Sequence, residues 1–223
     1  MANAEAAAKP AQPGHGLLVI TDCDEVLLHM IVPFQAWLAQ EHGITFHING
    51  NDFARAMFMP DGTPVEQKRM WELLDEFFDT QMHRQTPIPG AFEAMRALSE
   101  HADVVVLTNL EHRFNAARTR QLADLGLALR VFTNQGPKGP AIQKILDEYA
   151  PRRAIFIDDI AAHHGSAAQL TPDVRRLHLC GEPQLAPHIA CAHVAGHAHA
   201  RIDDWHGALP WLLAQITTET TND

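Results

Sequence analysis

Apolar and polar residues follow two alternating patterns along the chain, which predict strands and helices in turn. Short apolar runs rich in β-branched residues predict buried strands. One such run leads into Asp22, and the others occupy residues 103–108, 129–132, 154–157 and 174–179. Apolar residues at helical spacing predict helices at residues 33–42, 52–59, 65–82, 91–101, 113–125, 141–149 and 205–216.

The order of these elements indicates an α/β fold. Strands alternate with helices from residue 85 onward, and such connections are right-handed and make neighbouring strands parallel. A parallel sheet of this kind is covered by helices on both faces. We therefore predict a Rossmann-like parallel sheet with helices on both faces, interrupted after its first strand by a helical segment.

Polar residues occur where three of the predicted strands end. Ligands bind at the carboxyl ends of the strands in sheets of this type. Carboxylates at a buried strand end are costly unless a positive charge compensates them, so a cation is expected nearby. The residues concerned are Asp22 and Asp24, Thr108 and Asn109, and Asp158 and Asp159, accompanied by Lys138 in a turn before a predicted helix.

These residues, in this order, resemble the motifs of the haloacid dehalogenase-like superfamily of phosphohydrolases. That family has an Asp-x-Asp after its first strand, a Thr or Ser after the second, a Lys before a later helix and a closing acidic pair. The resemblance covers residues 16–180. It implies a Rossmann-like core at residues 16–30 and 85–223 and a small helical cap at residues 31–84. Residues 1–15 are expected to form a disordered leader.

The resemblance also implies catalytic roles. Asp22 would attack phosphorus and form an aspartyl-phosphate, which divides a very slow hydrolysis into two easier steps. Asp24 would protonate the leaving group and then accept a proton from the hydrolytic water. Thr108 and Asn109 would donate hydrogen bonds to the phosphoryl group. Lys138 would neutralise the nucleophile and the phosphoryl oxygens as a compact positive charge.

The same resemblance implies a magnesium site. Asp22, the backbone carbonyl of Asp24, and Asp158 would bind Mg²⁺ among water and phosphate oxygens. Asp159 would be a further ligand or would orient the others. An acidic pair at a strand end is also common as a helix N-cap, and one of the two is expected to serve that purpose as well.

Two residues beside the first motif depart from the family pattern or need explanation. The family usually has glycine after the second aspartate, whereas this chain has Glu25. A carboxylate there would repel an anionic substrate unless it points away, and a residue other than glycine restricts the backbone of the turn. Cys23 should point away from both acids along the strand and is expected to be packed rather than reactive.

The predicted cap contains basic and apolar candidates for substrate contacts. Basic residues on helices are usually solvated, and apolar residues at helical spacing usually pack inside. We therefore favour those roles over substrate binding for Arg55, Lys68, Arg69, Arg84, Met57, Phe58, Met59 and Trp71.

Composition excludes several classes of partner. The 223 residues carry a net charge of −10, which opposes loose electrostatic binding to nucleic acid or anionic membranes. No apolar run approaches the length of a membrane span, and residues 1–16 lack a signal-peptide core. Three cysteines suit a reducing, cytoplasmic compartment. The fifteen histidines include a late cluster that matches no closed metal site, so solvated or locally hydrogen-bonded roles are favoured.

The sequence thus predicts a magnesium-dependent phosphatase that acts on a small phosphorylated metabolite. Phosphoryl transfer within one sugar, as in the phosphoglucomutase relatives, uses the same two acids and stays open. A non-enzymatic binding protein on the same scaffold is a further alternative, motivated by Glu25 and the histidine-rich stretch. The substrate and the oligomeric state are left open.

Overall fold

The computed structural model describes residues 16–48 and 53–217. Its main sheet contains six parallel strands in the order β5-β4-β1-β6-β7-β8. The predicted leader, residues 1–15, lies outside the described residues. The strands are β1 (Leu17–Thr21), β4 (Asp103–Thr108), β5 (Arg130–Thr133), β6 (Arg153–Asp158), β7 (Arg175–His178) and β8 (Ala200–Arg201).

Helices cover both faces of this sheet, which confirms the predicted α/β class. Because side chains alternate across a strand, Val19 faces one apolar cluster while Leu18 and Ile20 face another. The first cluster is completed by α4 (Ala91–Ser99), α5 (Asn115–Asp124) and α8 (Trp205–Thr217), and the second by α6 (Gly139–Tyr149) and α7 (Ala161–Leu170).

The central position of β1 determines which side chains meet. Thr21 lies opposite Val106 of β4 and Ile157 of β6 in the parallel register. The carboxyl ends of these three neighbouring strands therefore lie side by side, and the polar residues that follow them share one edge of the sheet.

The described part of residues 31–84 supplies most of a third apolar cluster, which also includes Leu110, Phe114, Cys180, Leu185, Ala186 and Ile189 from outside this segment. Helix α1 (Ile31–Trp37) continues as a π-helical turn (Leu38–His42) and ends at Gly43, whose φ of 64° suits glycine. A ribbon of β2 (Thr45–Phe46) and β3 (Met57–Phe58) follows, with α2 (Phe53–Ala56) before β3, and α3 (Gln67–Thr80) completes the segment.

The helix predicted for residues 52–59 was wrong in its second half. Met57 and Phe58 are extended and pair antiparallel with Phe46 and Thr45. The Met57 carbonyl also accepts a hydrogen bond from the Val65 amide at 3.0 Å. Pairing between distant segments thus overrides the local helical pattern. Residue 52, where the predicted helix begins, lies outside the described residues.

Besides β2, whose two residues are defined by their pairing with β3, two elements were missed by the sequence analysis. Helix α7 has no apolar stripe, because its buried side chains are His163, His164 and Ala167. Strand β8 is two residues long and is defined by its pairing with β7. Neither element carries the periodic signal on which the predictions depended. Across the described residues, no helix combines the length and apolar character needed to cross a bilayer.

Phe34 lies at the centre of the apolar cluster in residues 31–84. Its ring is 5.2 Å from that of Phe77 and within about 6 Å of those of Trp37 and Phe46, and it is fully buried. We predict that Phe34→Ala lowers the free energy of unfolding by about 3–5 kcal/mol, because it leaves a cavity. Chemical denaturation measures the change. Trp71→Ala, at a residue that is 60 % exposed, is the control and should change stability by about 0.5 kcal/mol or less.

Candidate active site

A buried lysine joins the ends of β1 and β6. Lys138 Nζ lies 2.7 Å from Asp22 Oδ1 and 2.6 Å from Asp158 Oδ2, and the lysine is fully buried. Burial would lower the pKa of Lys138, but the two carboxylates outweigh that effect and raise it. The ammonium group is therefore charged and holds the two strand ends together.

Close packing between α6 and α7 supports the position of this lysine. Lys138 precedes the first residue of α6, Gly139, whose amide donates to Ser166 Oγ at 3.1 Å. A Cβ atom on Gly139 would lie 2.5 Å from the Ser166 carbonyl oxygen, which is a clash with backbone. Glycine thus allows α6 to approach α7 closely where the lysine side chain turns inward.

Asp159 adds a third carboxylate to this cluster. One oxygen from each of Asp22, Asp158 and Asp159 lies within 4.8 Å of the others. Burial raises the pKa of Asp159 well above its usual value, and the neighbouring Asp158 and Asp22 raise it further. Burial likewise raises the pKa of Asp22 to about 7, although Lys138 opposes the shift.

The charges and donors of this cluster fit a divalent cation. Three carboxylates meet one ammonium group, so two negative charges are left to be balanced by protons or a cation. The donors are oxygens, which are the ligands that Mg²⁺ prefers. Asp158 Oδ1 also accepts the Ile160 amide at 2.8 Å in the turn before α7. The N-cap residue of α7 is Ile160 and no side chain of the described residues caps the helix, so the expectation that one acid of the pair is an N-cap was wrong.

Asp24 is held by different partners on the other side of the motif. Arg118 Nη2 donates to both of its carboxylate oxygens, at 2.9 and 3.1 Å, and Gln85 Nε2 donates to Oδ1 at 2.7 Å. Arg118 Nη1 lies 2.9 Å from the Cys23 sulfur, and burial raises the pKa of the Cys23 thiol to about 12. Cys23 is fully buried, as predicted.

Arg118 and Gln85 were missed by the sequence analysis. Arg118 is fully buried on α5, and Phe114 and Leu122, four residues before and after it, are also buried. An arginine at the helical spacing of a buried stripe signals a partner inside the protein. That signal was available in the sequence, whereas the position of Gln85 beside Asp24 depends on the fold.

Glu25 takes the backbone conformation that glycine would favour. Its φ is 61°, in the left-handed region. Its Oε1 accepts the Met30 amide at 2.9 Å and also the Ile31 amide, at the beginning of α1. The side chain is 3 % exposed, and burial raises its pKa to about 8. Glu25 therefore binds the two amides at the start of α1, and this contact accounts for a residue other than glycine in this turn.

Thr108 is the last residue of β4 and Asn109 follows it, at the predicted strand end, but the two differ in their surroundings. Thr108 is 1 % exposed, and its carbonyl accepts the Asn134 amide at 2.9 Å. The Asn109 side chain donates to the Gly136 carbonyl at 2.9 Å and accepts from the Asn134 side chain at the same distance. The side chain of Asn109 thus supports the loop at residues 134–136.

A cavity of about 860 Å³ opens onto these strand ends. Asp22, Asp24, Asp159, Thr108 and Asn109 line it, whereas Lys138 and Asp158 lie behind that surface. The opposite wall comes from residues 30–31 and 68–78, and includes the exposed Trp71 and Lys68. The interpretation of Trp71 as an interior residue was therefore wrong.

The other basic and apolar candidates of this segment have structural contacts. Met57 is buried in the apolar cluster, Arg69 contacts Glu72, and Arg84 contacts Gln81 and Gln40. These contacts agree with the packing and solvated roles favoured from the sequence, whereas Met59 is 38 % exposed, so the packed role favoured for it was wrong.

His163 is a further cavity residue that the sequence analysis missed. It is 8 % exposed, and its Nε2 lies 3.3 Å from the Asn109 side-chain nitrogen. Burial lowers its pKa, so the ring is neutral near pH 7 and can accept from Asn109. The only sequence signal was a histidine in the first turn of the helix after the acidic pair.

The comparisons with known proteins identify the fold. No protein family model and no curated protein sequence matches the chain. A conserved haloacid dehalogenase-like protein of unknown function from Agrobacterium tumefaciens matches in structure with a TM-score of 0.64 at 17 % identity, covering 89 % of this chain and 98 % of that one. The chain therefore has the haloacid dehalogenase-like fold, which confirms the resemblance drawn from the motifs at the level of the fold.

Two other solved structures show what this fold accommodates. A HAD family hydrolase from Deinococcus radiodurans, with bound phosphate and sodium, matches with a TM-score of 0.57 at 18 % identity, covering 95 % of this chain and 100 % of that one. A putative β-phosphoglucomutase from Bacteroides vulgatus matches with a TM-score of 0.56 at 13 % identity, covering 89 % and 88 %. At these identities the comparison establishes the fold, and the site must supply the argument for activity.

The central role of Lys138 can be tested by its removal. We predict that Lys138→Met lowers the free energy of unfolding by about 3–5 kcal/mol, because it leaves buried carboxylates without their counter-charge. Added Mg²⁺ should then raise the Tm of the variant more than that of the wild type. Lys144→Met, at an exposed position on the same helix, is the matched control and should behave like the wild type. Equal stability of the two variants would contradict the prediction.

Proposed function

We propose that this protein is a magnesium-dependent phosphohydrolase that removes phosphate from a small phosphorylated metabolite through an aspartyl-phosphate. The observation that carries the proposal is that Asp22 and Asp24, which line the same cavity, have different partners. Asp22 lies with the lysine and the acidic pair, while Asp24 is held apart by Arg118 and Gln85. Nucleophilic catalysis and acid–base catalysis need two carboxylates in such different surroundings.

Asp22 is suited to attack phosphorus. Its Oδ1 accepts hydrogen bonds from Lys138 and from the Cys23 amide at 2.7 Å, which leaves Oδ2 to form the new bond. As the oxygen–phosphorus bond of Asp22 forms, the bond from phosphorus to the leaving oxygen breaks. At pH values above the pKa of Asp22, its carboxylate is unprotonated, and Lys138 holds it near one orientation.

Asp24 would move the protons of both steps. It gives a proton to the leaving oxygen, and its carboxylate then takes a proton from the water that attacks the aspartyl-phosphate, releasing phosphate and regenerating Asp22. Arg118 and Gln85 act as positioning residues, because they contact Asp24 and lie outside the set of cavity-lining residues.

The remaining polar residues would bind the phosphoryl group and the metal. Thr108 and the backbone at Asn109 face the cavity and would donate hydrogen bonds to phosphoryl oxygens. Asp22, Asp158 and Asp159, with the carbonyl of Asp24, would hold Mg²⁺. When bound, Mg²⁺ stabilises the negative charge that develops on the transferred group.

The lining of the cavity indicates the leaving group. The cations near the cavity have carboxylate partners, because Lys138 and Arg118 are buried with theirs and the exposed Lys68 lies 3.8 Å from Glu72. Glu72, Asp75 and Glu111 outnumber Lys68 on the walls, which are therefore net negative. A second phosphate or carboxylate on the substrate would be repelled. The apolar part of the lining includes Ile31, Trp71, Leu74, Phe78, Leu110 and Phe114. The proposed substrate is therefore a phosphate monoester whose leaving group is uncharged and partly apolar.

The phosphomutase alternative is favoured by the similarity to the putative β-phosphoglucomutase from Bacteroides vulgatus. It requires that the phosphoryl group return to a second hydroxyl of the same sugar. Product analysis separates the two reactions, because a phosphatase releases inorganic phosphate and a mutase conserves the phosphate ester.

The nucleophile assignment is tested by Asp22→Asn. We predict that this variant loses magnesium-dependent hydrolysis of p-nitrophenyl phosphate by roughly a thousandfold or more, because the amide cannot form the phosphoenzyme. Asp24→Asn should also lose most activity. Asp124→Asn, at an exposed position, is the matched control. Retained hydrolysis by Asp22→Asn would refute the nucleophile assignment, and no turnover of any ester by wild type would favour a binding protein.

The leaving-group assignment is tested by varying the ester. We predict that naphthyl phosphate has a higher kcat/KM than glucose 6-phosphate or a sugar bisphosphate. Trp71→Ala should raise the KM for naphthyl phosphate by roughly tenfold, because it removes apolar contact with the leaving group. The KM for acetyl phosphate, which lacks a large apolar group, should change little. Val194→Ala, at an exposed apolar residue outside the cavity lining, is the control. A preference for the bisphosphate would contradict this assignment.

A further inference from the structure

A second group of potential metal ligands lies where the turn after Asp24 meets the loop that follows β7. It consists of Glu25, His29 and Glu182, each of which offers one ligand atom within 4.8 Å of the others. Glu25 and Glu182 are each 3 % exposed, and the His29 side chain is 20 % exposed. None of the roles assigned above to the strand-end acids uses His29 or Glu182.

The contacts in this group leave one buried oxygen without a partner. Glu182 accepts the Gln184 amide at Oε1, at 2.8 Å, and contacts His29 Nδ1 through Oε2, at 2.8 Å. Glu25 uses Oε1 to accept the backbone amides at the start of α1. Its Oε2 is buried and has no hydrogen-bond partner among the described residues. An unpartnered carboxylate oxygen in the interior is costly.

We propose that Glu25, His29 and Glu182 form a second metal site, which binds a transition-metal dication of the Zn²⁺ type. The inference is independent of the proposed phosphatase activity. It adds a ligand site to the one formed by Asp22, Asp158 and Asp159.

Charge and donor type support a dication of this kind. The two carboxylates carry two negative charges, and a ligating imidazole is neutral, so one dication balances the group. A mixed nitrogen and oxygen donor set favours Zn²⁺, Co²⁺ or Mn²⁺, whereas Mg²⁺ favours oxygen donors alone.

The distances are compatible with a shared ion. Neighbouring ligand atoms around a tetrahedral ion with bonds of about 2.1 Å lie about 3.4 Å apart. The 2.8 Å contact of His29 Nδ1 with Glu182 Oε2 is a hydrogen bond that an ion would replace, so these two atoms would move about 0.6 Å apart. All three ligand atoms already lie within 4.8 Å of one another. The oxygen of Glu25 completes three protein ligands, and the partly exposed side of His29 gives access to water for the rest of the coordination shell.

Protonation of Glu25 is the alternative to metal binding, because it would neutralise the charge of the carboxylate whose Oε2 is buried without a partner in the described part of the chain. Burial raises the pKa of Glu25 to about 8, so the group holds a proton when nothing else balances it. A protonated Glu25 would need no metal. The two explanations differ in what they predict for metal binding, and an experiment can separate them.

Occupation of this site would tie two loops together beside the proposed active site. The Gly181 amide already donates to the Glu25 carbonyl at 2.6 Å, and the His29 amide donates to the Thr86 carbonyl at 2.9 Å. A bound ion would add bonds across the same junction. Because the ion binds the folded state, it should raise the Tm of the protein.

The test measures Co²⁺ binding to the full chain, freed of metal and then held in excess Mg²⁺ so that the oxygen-only site is occupied. We expect visible absorption from one bound Co²⁺ per chain, displaced by Zn²⁺, together with a rise in Tm. His29→Ala and Glu182→Gln should each weaken Co²⁺ binding by more than about tenfold and abolish the rise in Tm. His101→Ala, at an exposed histidine, is the matched control and should bind like the wild type.

Three results would overturn the proposal. They are the absence of Co²⁺ binding by wild type in excess Mg²⁺, unchanged Co²⁺ affinity in both His29→Ala and Glu182→Gln, and equal weakening by His101→Ala. Circular dichroism spectra of the variants establish that each is folded, and Glu182→Gln preserves the shape of the side chain if His29→Ala does not fold. These readouts do not involve hydrolysis, so they stand whether or not the phosphatase proposal fails.

Discussion

The ion pairs of Lys138 with Asp22 and Asp158 are the interaction on which the rest of the site depends. A fully buried ammonium group lies between the ends of two neighbouring parallel strands, and its contacts measure 2.7 and 2.6 Å. Without it, the acids that meet at this edge of the sheet would repel one another in a region from which water is excluded. The contact of Gly139 with Ser166, which brings α6 against α7, therefore serves the site as well as the core.

The negative charge of Asp24 is compensated separately from that of Asp22 and Asp158. Its carboxylate is compensated by Arg118, which projects from a buried position on α5, and by the amide of Gln85. Two acids that are two residues apart thus receive different counter-charges, one from the turn before α6 and one from α5. This separation is what supports distinct chemical roles for them in the proposed reaction.

The sequence patterns predicted the sheet and most of its helices because those elements bury one face. Residues 103–108 form β4 as predicted, and residues 141–149 lie within α6. Helix α7 was missed because its buried face contains histidines, and β3 was mistaken for helix because its pairing with β2 is not visible in local periodicity. Arg118 was overlooked although its place in a buried helical stripe was present in the sequence.

The sequence by itself determined the α/β architecture and the acids at the strand ends, since apolar runs and the polar residues that follow them are local features. The tertiary structure decided which charges compensate those acids and what lines the cavity. It also decided the surroundings of Glu25, which accepts the amides at the start of α1 and lies within reach of His29 and Glu182. Such contacts join residues far apart in the chain, and electrostatic interactions depend on distance and burial, which a sequence does not contain.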